Sequence, residues 1–348
     1  MIPLTTDKLF SDAQVGYTYD DILLVPQYST INSRLDVDLS VDFAGTELKI
    51  PILAAPMDTI CGVRMCHKMY ECGGMGILHR FFPSREAWED ELRRIIDCVP
   101  FDYRAAAIGV NKYEYEGSIL KLIVDNFKFV CIDVNIGHHE KVINLIKWLK
   151  KEYPHLKVIA GNVSTYEGAR DLCDAGADVI RATNGFGSAC STLIVTGVGV
   201  PTATSLYECY RAVRRYKDKF LIADGGHKNS GSMVKALAIG ADVVMIGGLL
   251  AGSSACPETA FFEENGEYKA KYYGMASEEA QKVRWGDLKV GTAPEGVSYT
   301  IHPRGKTRVI LERLAGGIRS GCSFCNARTV YELRRNARWI IRCSTSMK

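Results

Sequence analysis

The chain has 348 residues, 47% hydrophobic and 24% charged, with a net charge of +3. That is enough to bury a full core as one large barrel domain or two ordinary ones, and too little charge to mark a nucleic-acid or membrane surface. No stretch is apolar for long enough to span a bilayer, and Met1–Ala13 lacks the basic-then-apolar order of a signal peptide.

Eight short apolar runs recur along the chain, each followed by a polar or glycine-rich break and then a helical pattern: Ile52–Ala55, Met75–His79, Ala105–Val110, Phe129–Val134, Val158–Val163, Asp178–Ala182, Phe220–Asp224 and Asp242–Ile246. They are continuous rather than alternating, which predicts parallel strands covered by helices on one face and filled on the other. Between them, Glu140–Lys151 sets Val142, Ile143, Leu145, Ile146 and Leu149 on one side and lysines on the other. Ser230–Gly240 reads as a helix that opens on a capping-type serine and stops on glycine. Eight strand–helix repeats predict a single α/β domain over residues 1–348, a (β/α)8 TIM barrel rather than an open sheet. Residues Arg304 to Ala337 read as the final helices.

Two long loops interrupt the repeat. Asn184–Thr204 is rich in Gly, Ser and Thr and lies on the side of a barrel where active sites sit. Tyr272–Tyr299 has charges and glycines but weak periodicity, and reads as a mobile flap. Twelve cysteines are spread singly from Cys61 to Cys343, the pattern of reduced, buried thiols in a cytoplasmic protein. The CxxC pair Cys322 and Cys325 has no second pair or spaced histidines, so loop thiols are expected there rather than zinc. Cys190 differs, because a cysteine in the glycine-rich stretch Gly185-Phe186-Gly187-Ser188-Ala189-Cys190 is poorly placed for core packing and near amides that stabilise a thiolate. Thr192 is close enough to pass a proton to whatever Cys190 attacks. The strand-end turns Asp224-Gly225-Gly226 and Ile246-Gly247-Gly248 suit a phosphate held on backbone N–H groups, with Asp224 accepting from ribose hydroxyls.

Tyr17–Pro26, Ala55-Pro56-Met57-Asp58-Thr59, Gly187–Thr192, Thr196–Pro201 and Asp224-Gly225-Gly226 together resemble the IMP dehydrogenase and GMP reductase superfamily, in order and over nearly the whole chain. The resemblance implies a purine 5′-monophosphate substrate, a nicotinamide cofactor and a covalent bond from cysteine to C2 of the base. The step from Arg80 to Arg104 is too short for the regulatory (CBS) domains that dehydrogenases usually carry. That gap, with Asn32-Ser33-Arg34, His79-Arg80-Phe81 and Tyr273–Ser277, resembles the reductase branch. Ala55-Pro56-Met57 and Pro294-Glu295-Gly296 look more like the dehydrogenase, as does Thr292 where reductases often have arginine. The Arg-Tyr pair that a dehydrogenase needs would fall on Arg284-Trp285, without its phenol.

On the reductase branch the resemblance implies NADPH, GMP as substrate and IMP as product, with Cys190, Thr192, Glu295 and Asp133 catalytic. It places Ser188, Gly247, Gly248 and Tyr272 on the phosphate, and Asp224, Gly225 and Gly226 at the ribose and its phosphate turn. Met57, Gly274, Met275, Ala276 and Gly296 would face the base. Ser33, Arg34, Arg80, Asp133, Val134, Asn135, Asn184 and Gly185 would take the cofactor, although Asn135-Ile136-Gly137-His138 departs from the family pattern. Asp133 could instead cap the following helix. Carbonyls of Gly185, Gly187 and Cys190 would bind K+, against which stands Leu193 in place of a polar residue. A homotetramer is implied as well. An insert-free IMP dehydrogenase using NAD, a relative acting on a modified or deoxy purine nucleotide, and an idle nucleotide sensor remain open alternatives.

Overall fold

The computed structural model describes residues 5–9, 15–112, 115–286, 291 and 293–342. All eight apolar runs are strands: β1 (Ile52–Ala54), β2 (Met75–Leu78), β3 (Ala105–Ile108), β4 (Phe129–Asp133), β5 (Lys157–Val163), β6 (Val179–Ala182), β7 (Phe220–Asp224) and β8 (Val243–Ile246). They pair in parallel in chain order. β8 closes on β1, with Val244 opposite Ile52 and Ile246 opposite Ala54, so the barrel sheet has no free edge. Helices α1 (Val63–Glu71), α2 (Arg85–Cys98), α3 (Ser118–Asn126), α4 (Glu140–Glu152), α5 (Tyr166–Asp174), α6 (Thr202–Val213), α7 (Ser230–Ile239) and α8 (Thr307–Phe324) cover it. Between β2 and β3 the chain forms α2 and a short 3-10 turn, with no inserted domain.

Strand side chains alternate between faces, and that period divides the core. Phe129, Cys131, Ile222, Val243 and Met245 fill the barrel interior, while Val130, Ile132, Leu221 and Val244 pack against the helices. A hairpin of Val41–Phe43 and Thr46–Leu48 plugs the N-terminal end, its Phe43 stacked on Phe129 with ring centres 5.6 Å apart. The same alternation, one step further along each strand, turns Asp133, Arg181 and Asp224 inward as the top layer, at the C-terminal mouth.

Local expectations hold with four adjustments. On α4, Val142, Leu145, Ile146 and Leu149 are buried, and Ile143 at the stripe's edge is half-buried. α7 is capped by Asn229, not Ser230: Asn229 accepts from the Ser232 N–H and Ser232 returns the bond, a reciprocal pair that fixes the helix start. The long stretch after β6 is shorter as a loop than it reads, because Thr192–Thr196 is a helical turn and α6 starts at Thr202. Cys322 lies in α8 and Cys325 at its end, so neither is a loop thiol, and burial pushes them up to about 12 and about 11. The described cysteines are all free thiols. Among the described residues no group of His, Cys, Asp and Glu could hold a metal ion, and no helix is long and apolar enough to cross a membrane.

The flap has pinned ends. Phe261–Glu264, Glu267–Tyr273 and Ser298–Ile301 form an antiparallel sheet, and Glu278–Trp285 is a helix capped by Ser277. Thr292 and the side chains of Arg284 and Trp285 lie outside the described residues.

Candidate active site

A cavity of about 440 Å³ opens at the C-terminal mouth of the barrel, within the range of small-molecule sites. Parallel strands all end at this mouth, so side chains far apart in sequence meet there. Cys190 is half-buried in its wall, with Sγ 3.1 Å from Thr192 Oγ1. Two backbone features hold this geometry. The Cys190 N–H donates to Gly187 O at 2.9 Å, tightening the loop, and Thr192 opens the short helix Thr192–Thr196. Ser191 N–H donates to Glu295 O and Val297 N–H to Ala189 O, each at 3.0 Å, with Cys190 and Gly296 paired as a bridge. The flap therefore delivers Glu295 to the cysteine loop through its backbone. The Glu295 carboxylate accepts an N–H of Asn135 at 3.0 Å, and the Asn135 amide also reaches Thr192 Oγ1 at 3.4 Å. Cys190, Thr192 and Glu295 thus come together at the mouth.

The residues that the sequence assigns to a phosphate also meet in part. Ser188 Oγ and Tyr272 Oη lie 2.9 Å apart. A side chain on Gly248 would collide with Ser188 Oγ and stand 3.3 Å from Tyr272 Oη, so a methyl group there would displace the serine hydroxyl from this pair. Burial pushes the Tyr272 phenol up, only partly offset by its bond to Ser188, so it remains a neutral O–H. The Gly225-Gly226 turn has φ of +88° and +75°, and Gly226 N–H donates to Phe186 O, which ties this turn to the cysteine loop.

Beneath the cavity lies a charged layer that joins Asp133 and Asp224 through Arg181, a residue the sequence does not mark. Arg181, buried, donates to Asp133 Oδ1 at 3.0 Å and to Asp224 Oδ2 at 2.8 Å. Burial works against its charge, yet Asp224, Cys131 and Asp133 outweigh that and hold its pKa well above the ordinary value. Asn162 adds an N–H to Asp224 Oδ2 at 2.8 Å, while its own buried Oδ1 has no hydrogen-bond partner among the described residues. Asp224 therefore offers Oδ1, not both oxygens, to an incoming hydroxyl. Asp133 is held by Arg181 and lies 3.6 Å from Arg80 Nε. It does not cap α4, whose N-cap is His139.

Met57, Gly274, Met275 and Ala276 line the cavity, as do Arg80, Val134, Asn135, Asn184 and Gly185. Gly296 stands behind the wall, paired with Cys190 and Ser277. Ser33 and Arg34 are not brought to the cavity: Ser33 caps an exposed 3-10 turn, Arg34–Asp36, on the arm that packs against α8.

Fold and site define a class, a (β/α)8 barrel whose mouth joins a cysteine, a hydroxyl and a carboxylate beside the Ser188–Tyr272 hydroxyl pair. Residues 16–348 match the family model described as "IMP dehydrogenase / GMP reductase domain", and the chain belongs to that family. It is 34% identical over 334 residues to GMP reductase 2 of Bos taurus, covering 94% of this chain and 95% of the relative. It is similar as well to the GMP reductases of Onchocerca volvulus (32%, covering 92% and 90%) and Vibrio atlanticus (31%, covering 92% and 93%).

Proposed function

We propose that the chain is an oxidoreductase of purine nucleotides, and specifically a GMP reductase that converts GMP to IMP and ammonia. The observation that carries this reading is the joined set at the mouth, Cys190 Sγ within 3.1 Å of Thr192 Oγ1 and Glu295 reached through Asn135, in a chain similar to reductases over more than nine-tenths of its length. The Cys190 thiolate adds to C2 of the base. The C2–N bond then breaks with its electron pair on nitrogen, which takes a proton from the Thr192–Glu295 pair and leaves as ammonia. The adduct that remains is a thioimidate, and expulsion of the Cys190 thiolate after C2 is reduced gives IMP. Bound NADPH would supply the hydride for that reduction. Asp133, Val134, Asn135, Asn184 and Gly185 line the part of the cavity assigned to its nicotinamide, where the orphaned acceptor Asn162 Oδ1 suits an amide N–H. Ser188, Tyr272, Gly247 and Gly248 hold the phosphate, and Tyr272 donates as a neutral phenol.

K+ on the carbonyls of Gly185, Gly187 and Cys190 fits less well. The Gly187 carbonyl already accepts the Cys190 N–H, and the Leu193 side chain packs onto Gly185 and Gly199. No step is assigned to a cation.

The test is nicotinamide absorbance with the purified protein, offering GMP with NADPH and, separately, IMP with NAD. Loss of NADPH with release of ammonia, abolished by Cys190→Ala, supports the reductase. NADH formed from IMP would overturn it in favour of the dehydrogenase.

A further inference from the structure

We infer that Asn135 is a positioning residue, the side chain that aims the Thr192–Glu295 acid pair, and this rests on the reading of the site given above. Asn135 follows β4 two residues beyond Asp133, and its partners come from two other segments. One amide N–H meets Glu295 Oε2 at 3.0 Å and the amide nitrogen lies 3.4 Å from Thr192 Oγ1. The opposite amide orientation would set Oδ1 against a carboxylate, acceptor against acceptor, so chemistry fixes which end faces Glu295.

Asn135 is itself held in place. Its backbone carbonyl accepts the Asn184 side-chain N–H at 2.5 Å, and Asn184 Oδ1 accepts the Ser164 hydroxyl at 2.8 Å. The Asn184 amide also donates to Asn162 O at 3.2 Å, and Gly137 N–H donates to Asn162 O at 2.8 Å. A polar chain therefore runs from the loop after β5, through the cysteine loop and the loop after β4, to the flap.

The consequence is directional. With Oε2 engaged by Asn135, Oε1 is the glutamate oxygen left to face the substrate. With an N–H against Thr192 Oγ1, the threonine's own hydrogen is left for Cys190 Sγ or the leaving nitrogen. When the C2–N bond breaks, its electron pair stays on nitrogen, the pair supplies the proton, and Cys190 stays bonded to C2. The glutamate that has lost its proton keeps the Asn135 N–H as a donor. A misaimed acid slows this step without touching affinity for the nucleotide.

The experiment compares the full chain with Asn135→Ala and Asn135→Asp. Asparagine and aspartate have the same shape, but aspartate replaces the donor with an acceptor. With GMP and NADPH, kcat should fall about 10- to 100-fold in Asn135→Ala, and at least as far in Asn135→Asp. KM for GMP should stay within about twofold. A 2-chloropurine riboside 5′-monophosphate gives the second readout. Cys190 displaces chloride at C2, the C–Cl bond breaking with its pair on chloride, so no acid is needed. Labelling should stay within about threefold of the unmodified chain in both variants. Asn135→Asp as active as the unmodified chain, or labelling and KM failing together with kcat, would overturn the inference. If the unmodified chain does not turn over GMP, the functional reading falls and the inference with it. If the chain is active and neither variant is impaired, the inference falls alone.

Discussion

Replacing Arg181 with methionine removes the cation that bridges Asp133 and Asp224 and leaves two inward-facing carboxylates on the same layer, with Arg80 Nε 3.6 Å from Asp133. The guanidinium meets Asp133 Oδ1 at 3.0 Å and Asp224 Oδ2 at 2.8 Å, and all three side chains are 8–16% exposed. Removing one partner from a buried ion pair costs about 3–5 kcal/mol, mostly for the charge left behind. Both carboxylates border a cavity that admits water, so the lower end applies, about 3 kcal/mol. For a chain of this length the melting temperature should drop by roughly 3–6 °C. Arg181→Lys keeps the charge but cannot fork to both partners, so about half the loss should remain. Thermal unfolding of Arg181→Met beside the double variant Arg181→Met/Asp224→Asn checks the cause, since removing one carboxylate's charge relieves the repulsion and should narrow the deficit. A deficit below about 1 kcal/mol, or one that the second substitution leaves unchanged, would refute the argument and mean that cavity water solvates both groups.

Two further outcomes are expected. Gly248→Ala puts a methyl group into Ser188 Oγ and against Tyr272 Oη, so the Kd for a purine nucleotide should rise about tenfold while the melting temperature changes little. Equal affinity would refute the proposed role of these residues in holding the phosphate. Burial pushes the His79 imidazole down to about 3, and its Nδ1 accepts the Phe81 N–H at 3.1 Å, so the ring is neutral in the folded chain. Its contribution is fully present above the unfolded value near 6.5 and is lost as pH falls towards 3. From pH 6.5 to 4 the unfolding free energy should therefore fall more steeply than in His79→Phe, by on the order of 3 kcal/mol. Parallel curves would contradict it.

The barrel was legible because its strands are buried on both faces and so appear as unbroken apolar runs. Cys190 was legible because its glycine-rich surroundings cannot pack a structural thiol. Arg181 was not, since a charged residue inside Val179–Ala182 carries no local mark. Its meaning depends on which face of β6 turns inward and on Asp133 and Asp224 ending two other strands. Asn135 reads from the sequence as a cofactor residue, and its link to Thr192 and Glu295 is hidden for the same reason, with those partners 57 and 160 residues away. Ser230 misled because two neighbouring residues can each cap, and only the reciprocal bond with Ser232 selects Asn229. Cys322 and Cys325 misled because the spacing of a pair says nothing of whether a helix carries it inward.

Two kinds of bond bring Glu295 to the cysteine loop, and they differ in what they ask of the sequence. Backbone pairing delivers Glu295: its N–H donates to Ala276 O, its carbonyl accepts from Ser191, and Val297 joins Ala189 on one side and Gly274 on the other. Bonds of that kind depend little on side-chain identity, so the flap can vary and still present a carboxylate at this point. Aiming that carboxylate is a side-chain matter and falls to Asn135. Backbone pairing therefore secures the glutamate's presence at the mouth, while a single amide engages one of its two oxygens and leaves the other open.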